Sequence, residues 1–319
     1  MVTANADHAA GCHQPARTST GHLELEDMKP IGTVATLDQK LEKLRLRAEE
    51  SQQRTASQKK AAEAEKSERR NAVTAQLPMW PDEVRAHPNE SCRAALFTVR
   101  RARKRKSYLD ESIFVVGDGA IRYTGFELRA ENDELVWLQI LHYAKTLPLG
   151  QWVEFTPYQF CQDIGWTATG PNYKLLRDCL LRLKATALTI ESKRLKGGIA
   201  LSLIGDFSWR DDGGKPRSKY MVQMPTEIRE WFGDTNFTRL NWAIYRTLPP
   251  VARRLYDYAA SHRDPYALKA ETIFQLCGSD AESLENFRKV LRRAVKSLDE
   301  SGLLKKIDMT RTGLVRFIR

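Results

Sequence analysis

The residues of this 319-residue chain best suited to chemistry are cations set at helical intervals. Arg288, Arg292 and Lys296 fall four apart, with Lys289 and Arg293 beside them and Asn286 just before. Like charges at that spacing repel unless an anion lies between them. Phosphate is such an anion, and arginine, lysine and asparagine carry the donors that match guanine and adenine edges. A thinner set, Asn172, Lys174 and Arg177, stands earlier in the chain. Each set is followed by a basic turn: Lys193, Arg194 and Lys196 after the first, Arg311 and Arg316 after the second. A further run, Arg100 to Lys106, holds six cations in seven positions, among them Arg101, Arg103, Lys104, Arg105 and Lys106. Release of counterions from a polyanion favours such clustering, so the run reads as a phosphate-contacting segment. A solvated loop is its alternative reading.

Other chemistry is hard to build from these residues. The histidines at 8, 13, 22, 87, 142 and 262 include no His-x-His pair, and the five cysteines include no Cys-x-x-Cys. Cys12-His13 has no partners at metal-site spacing. Gly213-Gly214-Lys215-Pro216 lacks the spacing and the hydroxyl of a nucleotide-binding phosphate loop. Tyr256 and Tyr258 fall on a helix whose apolar side is expected to face the core. The expectation is a protein without catalytic residues, metal or cofactor. No apolar run approaches the roughly 18 residues of a membrane span. With no secretion signal at the amino terminus and only scattered cysteines, a reduced, cytoplasmic protein is expected.

Elements must position those cations, and the aromatic residues say where they lie. All 28 stand at or after Trp80, so residues 1–75 are expected to form a disordered arm with at most a solvated helix over Asp38 to Arg70. That arm is nearly neutral, 12 lysines and arginines against 11 carboxylates, which leaves +10 on the remainder. Ser112 to Val116 and Ala120 to Tyr123 flank Gly117-Asp118-Gly119 and predict a hairpin. Next, Glu131 to Lys145 has helical spacing, Thr156-Pro157 opens a short helix to Ile164, and Asn172 to Ala187 makes a third with one apolar stripe. Leu188 to Ser192 and Ile199 to Ile204 then read as a β-hairpin. The order repeats: helix over Pro249 to Ser261, short helix over Ala270 to Cys277, long helix over Ser283 to Ser301, and strands over Leu303 to Met309 and Leu314 to Arg319. The fold class predicted is α+β, two tandem winged-helix domains over 76–234 and 235–319 behind the arm. In such a fold the second helix of each helix-turn-helix enters the major groove, while wings and flanking cations hold phosphate.

Taken together, Arg100 to Leu109 with its hairpin, Trp137 to Phe160, Gly170-Pro171-Asn172-Tyr173, Asn241 to Arg263 and Ser283 to Arg319 resemble the plasmid replication initiators of tandem winged-helix type. The resemblance runs from about Gln76 to Arg319. It implies sequence-specific binding to origin repeats (iterons), opening of an adjacent AT-rich segment with contact to single-stranded origin DNA, recruitment of the host helicase and its loader, and self-association between dimer and monomer. A winged-helix transcriptional repressor is the alternative function. Gln76-Leu77-Pro78-Met79-Trp80 also resembles the pentapeptide with which bacterial proteins dock on the replicative sliding clamp, with Gln76 at a pocket rim and Leu77, Met79 and Trp80 in an apolar groove. Anchoring of Met79 and Trp80 to the protein's own core is the other reading of that segment.

Overall fold

The computed structural model describes residue 39, residues 42–59 and residues 76–319 apart from Lys196, Asp211, Asp212 and Lys215. It divides into two units, Met1–Lys66 and Ser67–Arg319. In the first, residues 42–59 form a helix, α1, with every side chain exposed, Leu44 and Leu46 included. No packing holds it, so it rests on the propensity of its Ala, Glu, Lys, Gln and Arg residues, as the composition predicts. The rest of the expected arm lies outside the described residues.

The second unit begins with β1 (Val84–Pro88), the one-turn α2 (Asn89–Cys92) and β2 (Phe97–Thr98). After the basic segment come β3 (Ser107–Ile113), β4 (Ala120–Phe126) and β5 (Leu128–Arg129). The expected hairpin is present, but its first strand begins earlier and ends at Ile113, short of the expected Val116, while its second runs on to Phe126. α3 (Asp133–Ala144), β6 (Trp152–Phe155), α4 (Pro157–Ile164) and α5 (Gly170–Lys184) follow. Thr156 accepts the Gln159 amide to cap α4, and Gly165, at φ 81°, closes it in the left-handed region open to glycine. Four strands come next: β7 (Ala187–Glu191), β8 (Ile199–Leu201), β9 (Phe207–Arg210) and β10 (Pro216–Gln223). α6 (Ile228–Phe232), β11 (Phe237–Asn241) and α7 (Trp242–Tyr245) lead to the repeat. It consists of α8 (Pro250–Ala260), β12 (Leu268–Lys269), α9 (Ala270–Leu276), α10 (Leu284–Glu300), β13 (Lys306–Met309) and β14 (Leu314–Ile318).

Two of the sheets have the same topology: β6-β10-β9 in the first module and β12-β14-β13 in the second. Each places the strand after the first helix beside the last strand of a hairpin, the pattern of a winged helix. One expectation is corrected here. The hairpin β7-β8 is formed, but it is not the wing of the first module. β7 pairs with β4, Ile190 opposite Ile121, so the two hairpins make a four-stranded sheet β3-β4-β7-β8. The first wing is β9-β10, whose β10 pairs with β6 from Tyr220↔Phe155 to Gln223↔Trp152. Both hairpins alternate apolar and polar residues, so pattern alone does not say which one joins the helices.

The modules are tied together inside the fold. β1, ahead of the first module, pairs antiparallel with β11, ahead of the second, from Val84↔Asn241 to Pro88↔Phe237. Every residue of α8 from Val251 to Ala260 is buried, including Tyr256 and Tyr258, which pack in the core as expected. So is Arg254, whose Nη1 donates to Glu134 of α3 at 3.1 Å and to Asp257 at 2.9 Å. Its Nη2 donates to the carbonyls of Ser91, Cys92 and Ala94, the last at 2.6 Å. A buried charge is tolerated when its donors are matched in this way. Burial, followed by the neighbouring Asp257 carboxylate, raises Glu134 to about 7 in spite of Arg254.

Candidate nucleic-acid interface

Helix α10 is the long second helix of the carboxyl-terminal helix-turn-helix. Ser283 caps it by accepting the Asn286 amide at 3.2 Å. Phe287, Leu291, Ala294, Val295 and Leu298 are buried, and this face packs on α8. The opposite face carries Asn286, Lys289, Arg292, Arg293 and Lys296, all exposed. Lys289 and Arg292 have no hydrogen-bond or ion-pair partner for their side chains among the described residues. Arg293 reaches only the Lys289 carbonyl at 3.5 Å, and Lys296 stands 3.7 Å from Glu300. Four adjacent cations with one distant, exposed counterion leave a field that a polyanion would satisfy.

Arg288 departs from the expected role. Its Nη2 donates to Glu271 of α9 at 2.9 Å, and it lies so near the wing turn that a Cβ on Gly313 would stand 3.2 Å from its Nε. Arg288 therefore braces helix against wing. On that wing Arg311 is exposed and unpaired among the described residues. Arg316 makes a bidentate pair with Asp308 across β13-β14, at 2.9 and 2.7 Å, so it serves the wing's own strands.

The first module presents less. On α5 Lys174 is exposed and Arg177 half-buried, neither with an ion pair among the described residues. Asn172 instead donates to the Thr167 carbonyl at 2.8 Å and its hydroxyl at 2.9 Å, closing the turn before the helix. The side-chain amide of Asn172, expected as a base reader, is engaged in that turn. Farther along, Arg182 is bound to Asp133 at 2.8 Å and Lys184 to Asp206 at 2.6 Å. The basic tip expected as this module's wing belongs to the other sheet. There Lys193 pairs with Asp118 at 2.7 Å, and Arg194 holds Glu90 and the carbonyls of Glu230 and Trp231, a structural clamp. Lys196 lies outside the described residues, as do Asp211, Asp212 and Lys215 in the turn of the true wing.

The basic segment divides in the same way. Arg105 donates to Asp133 at 2.7 Å and to the Glu127 carbonyl, and Arg100 stands 3.3 Å from the buried Glu127 carboxylate. Lys106 pairs with Glu111 at 2.7 Å and lies over the Tyr108 ring. Arg105 and Lys106, both expected to contact phosphate, thus have carboxylate partners within the protein. Arg101, Arg103 and Lys104 point to solvent. Asp280, in the turn between α9 and α10, accepts the backbone amides of Arg101 and Ala102 at 2.8 to 3.2 Å. Burial would push that carboxyl up, but these amide bonds outweigh it and hold Asp280 below its ordinary range. As a result the free part of the segment sits beside α10. Arg101 and Arg293 line one cavity of about 340 Å³ between the α8 start and α10.

The clamp-like pentapeptide is largely packed into the protein's own fold. Leu77 and Trp80 are buried at 3% exposure each, and Trp80 stacks on Phe232 with centroids 6.0 Å apart. Gln76 donates to the Lys145 carbonyl at 3.3 Å, and of the pentapeptide's apolar side chains Met79 is the exposed one. The side chains that would fill a partner's groove already fill this protein's core. The cysteines at 92, 161, 179 and 277 are free and buried. Among the described residues no helix is long and apolar enough to cross a membrane.

A family model described as TrfA protein matches residues 42–316. The plasmid replication initiator protein TrfA of Escherichia coli is 43% identical over 227 residues, 70% of this chain. The match spans 59% of the length of that relative. Among solved structures, domains 2 and 3 of RctB in selenomethionine form align with a TM-score of 0.49 at 13% identity, over 72% of this chain and 98% of the other. A second structure of RctB domains 2–3 gives 0.42 at 15% identity, over 68% and 92%.

Proposed function

The chain belongs to the TrfA family, and from that premise we propose that it is a non-enzymatic plasmid replication initiator whose second winged helix reads origin iterons. The observation that carries the reading is the row Lys289, Arg292, Arg293 and Lys296 on the outer face of α10. A helix of this kind enters the major groove, where arginine pairs with guanine O6 and N7. Arg311 on the wing and Arg101, Arg103 and Lys104 beside the helix hold phosphate, and the thinner α5 edge with Lys174 and Arg177 adds backbone contacts. Two modules sharing a buried core engage one duplex as a unit. Opening of AT-rich DNA, helicase and loader recruitment and dimer-monomer exchange complete the initiator role. A cytoplasmic location accords with it.

An electrophoretic shift comparing iteron with scrambled DNA at two salt concentrations tests the binding step, because a basic protein binds any duplex at low ionic strength. A preference for iteron DNA that persists at the higher salt is expected; equal binding would contradict it. Supplying the protein to a plasmid that carries candidate iterons separates an initiator, which supports replication, from a repressor, which only silences a nearby promoter.

A further inference from the structure

We propose that His87, Cys92 and Asp257 form a buried site for one divalent cation of the zinc class, joining the amino-terminal strand and helix to α8 of the second winged helix. His87 lies on β1, Cys92 on α2 and Asp257 on α8, all three buried. A ring nitrogen of the histidine, Sγ of the cysteine and a carboxylate oxygen of the aspartate lie within 4.8 Å of one another. Zinc bonds of about 2.0 to 2.3 Å put tetrahedral ligands roughly 3.3 to 3.8 Å apart. His87 Nδ1 and Asp257 Oδ1 already stand 3.8 Å apart, and small side-chain movements bring in the sulfur.

The hydrogen bonds around the trio point the same way. His87 Nε2 is engaged with the Ser91 hydroxyl at 2.8 Å. Asp257 Oδ2 accepts from Arg254 at 2.9 Å and from the Tyr245 hydroxyl at 3.2 Å. His87 and Asp257 thus each have the outer atom fixed, the arrangement that orients metal-bound histidines and carboxylates. The inner atoms, His87 Nδ1 and Asp257 Oδ1, are buried without a hydrogen-bond partner. Leaving two buried polar atoms facing each other unsatisfied is costly, and a shared cation removes the cost of both.

Charge balance supports a dication. A dication bound through Cys92 as thiolate and through the Asp257 carboxylate is neutralised by its own two anionic ligands. A cysteine gives up its proton when it binds such a cation as thiolate. Three protein ligands leave one coordination position for a water. Because the site is enclosed, the cation enters during folding.

The untagged full chain, expressed with zinc in the medium and desalted, is measured by elemental mass spectrometry; about one zinc per chain is expected, the stoichiometry of a structural site. Refolding with cobalt in place of zinc should produce a thiolate-to-cobalt absorption band that Cys161→Ser keeps and Cys92→Ser loses. X-ray absorption of the wild-type zinc form needs no variant, and should count one sulfur at about 2.3 Å with nitrogen and oxygen ligands nearer 2.0 Å. Zinc below about a tenth of an equivalent with no cobalt band on refolding would overturn the site, leaving water or a proton between His87 and Asp257. A sulfur count other than one, or a band that survives Cys92→Ser, overturns it equally.

Discussion

The two winged-helix modules share one topology and use their cations differently. In the first, Arg182, Lys184 and Asn172 hold the module together, and only Lys174 and Arg177 remain on α5 for a partner. In the second, one helix face keeps Lys289, Arg292, Arg293 and Lys296 clear of strong ion pairs. The difference teaches that counting basic residues on a helix overstates its capacity to bind DNA. What matters is how many lack an internal carboxylate. By that measure the first module, enlarged by the sheet β3-β4-β7-β8, has fewer free cations to offer, and the proposed reading assigns sequence recognition to the second.

The comparison can be broken most forcefully at Arg254, through which α3 of one module meets α8 of the other. Arg254→Ala strands the buried Glu134 and Asp257 carboxylates and should cost about 3–5 kcal/mol of unfolding free energy by denaturant titration. A smaller loss would mean the modules do not depend on that bond. On α5, Lys174→Ala combined with Arg177→Ala should weaken iteron binding by less than about tenfold at moderate salt, because exposed phosphate contacts are individually modest. A larger loss would place sequence reading in the first module as well.

Asp280→Ala releases the Arg101 and Ala102 amides and should lower affinity for iteron and scrambled DNA alike, by about threefold in the same gel assay, the effect of misplacing a phosphate contact. Acid has the same consequence. Because Asp280 is depressed in the folded protein, its amide bonds are present at neutral pH and are lost as pH falls through that lowered value. The smallest expected effect is at the wing tip: Arg311→Ala should reduce the slope of log affinity against log salt by about one, with little change in sequence preference.

Much of this was legible in the sequence. The apolar spacing of α10, its Ser283 cap, the Thr156-Pro157 start of α4 and the second wing follow from period and turn chemistry over a few neighbouring residues. β6 was missed because four residues, Trp152 to Phe155, are too short for alternation to stand out between two helices. That omission led to the wrong wing, since β10 finds its place only beside β6. The basic segment misled for a related reason: the carboxylates that claim Arg105, Arg100 and Arg129 are Asp133 and Glu127, out of reach of any local pattern. Nothing in the spacing singles out Arg254, because no periodicity shows that α8 is buried on every side. The same long-range assembly brings His87 and Cys92 to Asp257, which explains why no metal-ligand spacing was visible.

The central claim is that α10 supplies sequence discrimination. It is tested most directly by the ratio of iteron to scrambled-DNA affinity, at one stated salt concentration, for Arg292→Ala combined with Arg293→Ala against the wild type. Base contacts of about 1–3 kcal/mol each predict a fall in that ratio of at least tenfold while binding to scrambled DNA changes far less. An unchanged ratio in a folded variant would contradict the account and move the reading of sequence away from α10.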